Sequence, residues 1–136
     1  MEESMSAESN MAMGEMQPLE FNNQVVLLTG GNGGIGRAVS RLFLQAGATV
    51  VSVDVQPPEE ELPGVRNIQA DVASFAQVGE CVADVLAHEG RIDCLINNAG
   101  ISRDTTVWRM TEEQWDVVLD VNLKGAFNFI HHVAPH

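Results

Sequence analysis

The sequence predicts an α/β fold: a doubly wound parallel sheet of about four strands with flanking helices, incomplete on its C-terminal side. Two observations predict it. Short apolar or β-branched runs alternate with segments of helical apolar spacing, in units of roughly 20 to 30 residues. A glycine-rich turn joins the first of these runs to the first helical segment.

At the start of the chain, residues 1–19 carry Glu2, Glu3, Glu8 and Glu15 with no positive charge and little to bury, so an acidic disordered tail is expected there, followed by one domain over 20–136. Val25-Val26-Leu27-Leu28-Thr29 is a continuous apolar run ending at glycines, as in a parallel strand covered on both faces. From Gly34 to Ala46, Ile35, Val39, Leu42 and Phe43 recur at helical spacing and predict the buried stripe of a helix that Gly47 stops. Residues 48–54 are a β-branched strand, and the Pro-rich acidic stretch after them is a surface loop. Val65 to Ala70 forms a third strand. Ser74 caps a helix running to His88 with a stripe of Phe75, Val78, Val82, Val85 and Leu86, and Gly90 ends it. A fourth strand spans Ile92 to Asn97 and a loop Asn98 to Met110. Thr111 then caps one last helix, with Glu112 and Glu113 at its positive end.

Composition narrows the function. A chain of 136 residues accommodates one compact core. With 19 acidic against 7 basic side chains, a net charge of -12 repels phosphate backbones and anionic lipid, so neither nucleic acid nor a membrane is an expected partner. No apolar run approaches the roughly 20 residues a transmembrane helix needs, and residues 1–17 lack the pattern of a secretory signal. Cys81 and Cys94 stand apart without metal-ligand spacing, which points to two buried reduced thiols in a cytoplasmic protein and to no metal site. His131, His132 and His136 read as ordinary helix residues, because adjacent helical side chains diverge by about 100°. Trp108 and Trp115, among acidic neighbours, suit loop packing and an oligomer face rather than a base-stacking platform.

The turn Thr29-Gly30-Gly31-Asn32-Gly33-Gly34-Ile35-Gly36 lies where backbone N–H groups at a helix start can meet a diphosphate, so Thr29, Gly30, Asn32, Gly34, Ile35 and Gly36 are candidate cofactor residues. Asp54 closes the second strand at the spacing from which a carboxylate hydrogen-bonds the ribose 2′-hydroxyl of NAD; a 2′-phosphate would meet its charge there. No Arg or Lys lies in the glycine turn or directly after Asp54, which favours NAD over NADP. A strand-ending Asp can also simply cap a turn.

Parsed as TGxxxGxG over Thr29, Gly30, Gly34 and Gly36, the turn resembles the glycine motif of the short-chain dehydrogenase/reductase family. Asn97-Asn98-Ala99-Gly100 after the fourth strand looks like that family's NNAG motif. The resemblance covers residues from about Gln24 onward, roughly half of a typical member, and implies the Rossmann-type strand order 3-2-1-4-5-6-7. It implies that Asp71 and Val72 meet the adenine, that Asn98, Ala99 and Gly100 line the cofactor, and that Asn122 holds a water in the family's proton relay. Asp71 can alternatively serve as a helix cap, and Asn122 as a structural amide. Lys124 does not correspond to the family's catalytic lysine, which follows a tyrosine on a later helix.

The sequence contains no tyrosine, so the family's general acid/base is absent, and its catalytic serine belongs to a fifth strand beyond His136. The resemblance therefore implies a cofactor-binding part of an oxidoreductase moving hydride between NAD(H) and a carbonyl or secondary alcohol. Ile101-Ser102-Arg103-Asp104 and Arg109-Met110-Thr111 resemble 3-oxoacyl-thioester reductases of the family, while Asp54 favours NAD where many of those use NADPH. The alternatives are a non-catalytic NAD-binding module and a split enzyme completed by a partner chain; an extended-family epimerase fits less well, lacking NNAG at this place. A bare fourth strand invites association, and some of the crowded Phe127, Phe129, Ile130 and Val133 need either the missing half of the fold or a partner, so a homo-oligomer or a complementing chain is expected.

Overall fold

The structure, a computed structural model, describes residues 19–136. Within them β1 (Val25–Thr29), β2 (Thr49–Asp54), β3 (Val65–Gln69) and β4 (Cys94–Ile96) form one parallel sheet in the order β3-β2-β1-β4. The expected tail over 1–19 lies, apart from the exposed Leu19, outside the described residues.

Strand β1 is the centre because all five of its residues are buried, and alternate side chains feed two separate cores. Val25 and Leu27 join Val51 and Val53 under α2 (Phe75–Glu89) and α4 (Gly125–Val133), where Val78, Cys81, Val82, Val85 and Phe129 complete the larger cluster. Val26 and Val50 face α1 (Gly34–Gln45), which contributes Phe43 and Leu44 to the smaller one. Phe129 has no exposed surface, and burying a side chain of this size stabilises by about 1.5–3 kcal/mol. The covered faces are those expected of alternating strands and helices.

The helix ends follow local side-chain chemistry. The Ser74 hydroxyl accepts a hydrogen bond from the Gln77 N–H at 3.3 Å, and Gly90 ends α2 in the left-handed region at φ 79°. Thr111 opens α3 (Glu112–Leu119) with a reciprocal box: its Oγ1 accepts from the Gln114 N–H at 3.2 Å, and Gln114 Oε1 accepts from the Thr111 N–H at 3.1 Å. Arg66 on β3 grips α2 through Glu89 at 2.8 and 2.9 Å and Asp84 at 2.8 Å.

Several expectations are corrected. Ile35 and Leu42 are 73% and 66% exposed, so they do not form the buried stripe of α1; its closest-packed residues are Gly36 and Ser40, small enough to bring the helix onto the sheet. Phe75, at the start of α2, is 43% exposed and stacks beside His132 rather than entering the core. Strand β4 is three residues long, and Cys94 on it is half-buried rather than buried. The last helix is not continuous: between α3 and α4 the backbone widens into a π turn at Asp120–Lys124, and Gly125 N–H bonds back to Asp120 O.

Candidate functional site

At the C-terminal ends of the strands, the glycine turn, the β2 and β3 ends and the segment after β4 enclose a cleft of about 490 Å³. Its walls include Gly30, Gly34, Ile35, Gly36, Asp54, Asp71, Val72, Asn98, Ala99 and Gly100, which are all the anticipated positions except Thr29, Asn32 and Asn122. Gly33, Val55, Ala70, Ile101 and Val121 complete the lining. Gly33 falls inside the glycine turn and Ile101 opens the stretch likened to 3-oxoacyl-thioester reductases, while no motif singles out Val55, Ala70 or Val121. Val55 and Ala70 adjoin anticipated cofactor positions in the chain, and that adjacency is the available signal; Val121 likewise precedes Asn122.

The turn is glycine-rich for two different reasons. Gly36 has an internal one: a Cβ there would run into the Gly30 carbonyl oxygen and stand 2.7 Å from Gly31 Cα, so the helix start could not close on the turn. Gly34 has none inside the protein, because a Cβ there would meet nothing within 4 Å. Nor does the protein cap this helix. Gly33 at the N-cap offers no side-chain acceptor and the first turn holds no acid, whereas α2 and α3 are both capped by hydroxyls. Arg37 N–H is the first to bond back, to Gly33 O at 2.9 Å, leaving the amides of Gly34, Ile35 and Gly36 without an intrahelical acceptor on a cleft wall.

Thr29 works behind the wall, and Asn98 is the part of the wall it holds. Thr29 is 2% exposed, and its Oγ1 accepts the Asn98 and Ala99 N–H groups at 3.1 and 3.0 Å. The Asn98 amide donates in return to the carbonyls of Thr29 and Gly30 at 3.1 and 3.0 Å. Two chain segments nearly seventy residues apart are thereby stitched edge to edge, which holds Ala99 against the glycine turn.

Asp54 accepts the Asn32 N–H on one oxygen at 3.1 Å and the Gln56 N–H on the other at 3.3 Å, so it caps the turn while lining the cleft. Asn32 stands outside the wall and ties the turn to the loop after β2 through its amide and the Gln56 carbonyl. Asp71 likewise combines both roles, its Oδ1 accepting the Ala73 N–H at 2.9 Å. Asn122 sits in the π turn. Its Oδ1 accepts the Ile101 N–H at 2.8 Å and its Nδ2 donates to the Ile101 carbonyl at 2.9 Å, a two-point grip on the segment that forms the far wall. Among the described residues no cation lines the cleft; Arg37, the nearest in sequence to the glycine turn, donates to the Glu60 carbonyl at 2.7 Å.

Sheet order, glycine turn and cleft together define a Rossmann-type α/β half-domain. Comparison with known proteins then specifies which one. The family model for short chain dehydrogenases matches residues 24–136, and the chain belongs to that family. It is 42% identical over 127 residues to a 3-oxoacyl-[acyl-carrier-protein] reductase of Thermotoga maritima, covering 87% of this chain and 52% of that protein. It is 39% identical over 116 residues to an acetoacetyl-CoA reductase of Shinella zoogloeoides, covering 82% and 48%. Among solved structures, the ligand-free aldohexose dehydrogenase of Thermoplasma acidophilum superposes with a TM-score of 0.80 at 30% identity, covering 85% of this chain and 44% of that one. The chain thus spans about half the length of the relatives it matches. Members of the family are oxidoreductases that bind nicotinamide cofactors. Among the described residues, no helix is long and apolar enough to cross a membrane, and no group of three or more His, Cys, Asp or Glu side chains is gathered as metal ligands.

Proposed function

We propose that these residues form the dinucleotide-binding half of an NAD-dependent oxidoreductase acting on a carbonyl or secondary alcohol, with a 3-oxoacyl thioester as the substrate class its relatives suggest. The observation that carries this reading is the α1 start: uncapped, lined by glycines and facing the Asp54 carboxylate across one cleft. A diphosphate fits the three free amides and the open space at Gly34. Asp54 retains acceptor capacity beyond its two backbone partners for a ribose 2′-hydroxyl, and a cleft wall without a cation gives a 2′-phosphate nothing to pair with. Asp71 and Val72 would flank the adenine, and Asn98, Ala99 and Gly100 the inner face of the cofactor. When bound, the nicotinamide would supply the hydride-accepting or hydride-donating ring.

Asn122 keeps one N–H and one lone pair beyond its grip on Ile101, enough to hold a water of the family's proton relay. The general acid/base comes from elsewhere, since these 136 residues include no tyrosine. A further stretch of chain or a complementing partner would bring serine, tyrosine and lysine; acting alone, the chain binds cofactor without turning it over. Assembly with a second copy or such a partner in the cytoplasm, with neither nucleic acid nor membrane involved, belongs to the same reading.

Titration with NAD and NADP tests it. Losing a hydrogen bond to a charged group costs about 1.5–3 kcal/mol, so Asp54→Ala should weaken NAD on the order of tenfold to a hundredfold and erase discrimination against NADP. Equal affinities for the two in the wild type, or affinities for both unmoved by the substitution, would refute the assignment.

A further inference from the structure

Asn128 is a fully buried amide next to Phe129 of the larger apolar cluster, whose buried members are Val, Leu, Ile, Ala, Cys and Phe. A buried amide costs about 1–3 kcal/mol unless hydrogen-bonded, and leucine would fill similar space more cheaply. Its Nδ2 donates at 2.8 Å to the main-chain carbonyl of Val72, 56 positions earlier in the chain. One turn before it on α4, Gly125 faces the same residue: a Cβ there would stand 2.7 Å from Val72 Cγ2 and 3.0 Å from Val72 Cβ. Val72 is itself 7% exposed, and the remaining surface belongs to the cleft wall.

We propose that Asn128 and Gly125 are positioning residues that set the width of the cleft at Val72, and hence which nucleobases it accepts. The inference rests on the cleft being a dinucleotide site. Asn128 holds the Val72 main chain from behind, and Gly125 leaves the space into which the branched side chain recedes. A β-branched side chain is stiff about χ1, so it cannot turn out of the way of an added methyl. The core behind it is filled by Val78 and Phe129, so the open direction for displacement is the cleft.

The experiment measures dissociation constants of the full chain for NAD and for its 1,N6-etheno analogue, whose base is wider by a fused ring. Gly125→Ala should raise the ratio of etheno-NAD to NAD dissociation constants at least fivefold by pushing Val72 inward. Val72→Ala should lower it, and Gly125→Ala/Val72→Ala should return to the Val72→Ala value, because the clash has lost its target. Asn128→Leu, which frees the Val72 carbonyl, should also change the ratio, whereas a purely structural loss would weaken both ligands in proportion. An unchanged ratio in Gly125→Ala and Asn128→Leu overturns the inference while leaving the dinucleotide reading intact, as does a double variant that keeps the Gly125→Ala ratio. If Gly125→Ala does not fold, Asn128→Leu and Val72→Ala carry the same comparison. Wild-type protein that binds neither nucleotide removes the dinucleotide reading and this inference with it.

Discussion

Replacing Thr29 by valine keeps the branched shape of the side chain and removes only its hydroxyl. That hydroxyl accepts two main-chain N–H groups, from Asn98 and Ala99, at 3.1 and 3.0 Å, and valine can accept neither. Each N–H stranded away from water costs about 1–3 kcal/mol. Both belong to half-buried residues beside the cleft, so the lower part of that range applies. The expected loss is about 2–3 kcal/mol, which at a urea slope of roughly 1–3 kcal/mol/M moves the unfolding midpoint by on the order of 1 M. Thr29→Ser is the paired control: it keeps the acceptor and gives up one methyl, for about 1 kcal/mol. Urea unfolding of the three proteins, followed by circular dichroism, supplies the comparison. If Thr29→Val unfolds within about 0.5 kcal/mol of the wild type, the stitch between β1 and the segment after β4 contributes nothing.

The two kinds of glycine should separate cleanly. Gly36→Val should destabilise the fold and abolish NAD binding together, whereas Gly34→Ala, with open space at its Cβ, should leave the unfolding midpoint unchanged or higher and weaken NAD at least tenfold; full-strength binding by Gly34→Ala would show that the phosphates lie elsewhere. Burial, with the Asp84 carboxylate nearby, pushes the Cys81 thiol up to about 11, so its alkylation at pH 8 should run on the order of 100-fold slower in the folded chain than in urea, and comparable rates would contradict its buried position. Arg91 and the Val25 N–H hold the Asp93 carboxyl below the usual carboxylate range. Stability from Asp93 is therefore full above the unfolded value near 4 and is lost as pH falls through the lower folded value. Acid unfolding of Asp93→Asn should lack that component, and coincident pH profiles for variant and wild type would count against it.

What the sequence disclosed and what it concealed divide along the range of the interactions. Strands β1 and β2 were legible because burial on both faces demands unbroken apolar runs, and Ser74 and Thr111 because a cap is made within three residues of itself. The packed face of α1 was legible only in part: Phe43 reaches the smaller core as its spacing implied, but the closest-packed positions are Gly36 and Ser40, whose smallness matters and whose hydrophobicity does not, while Ile35 and Leu42 are exposed. The cleft positions that motifs mark were found. Thr29 was marked by the same motif, but its work is structural and its partners lie nearly seventy residues away. The grips of Asn122 on Ile101 and of Asn128 on Val72 likewise depend on partners that no local pattern encodes.

The π turn between α3 and α4 acts as a phase setter. Residues four apart on an α-helix drift by about 40° at each step, so Trp115, Leu119, Leu123 and Phe127, all exposed, would wind away from one another along a regular helix. The wider turn at Asp120–Lys124 takes up one extra residue and winds part of that drift back. It thereby lets one rod present an aligned apolar flank outward while Asn128 and Phe129 still arrive at the core.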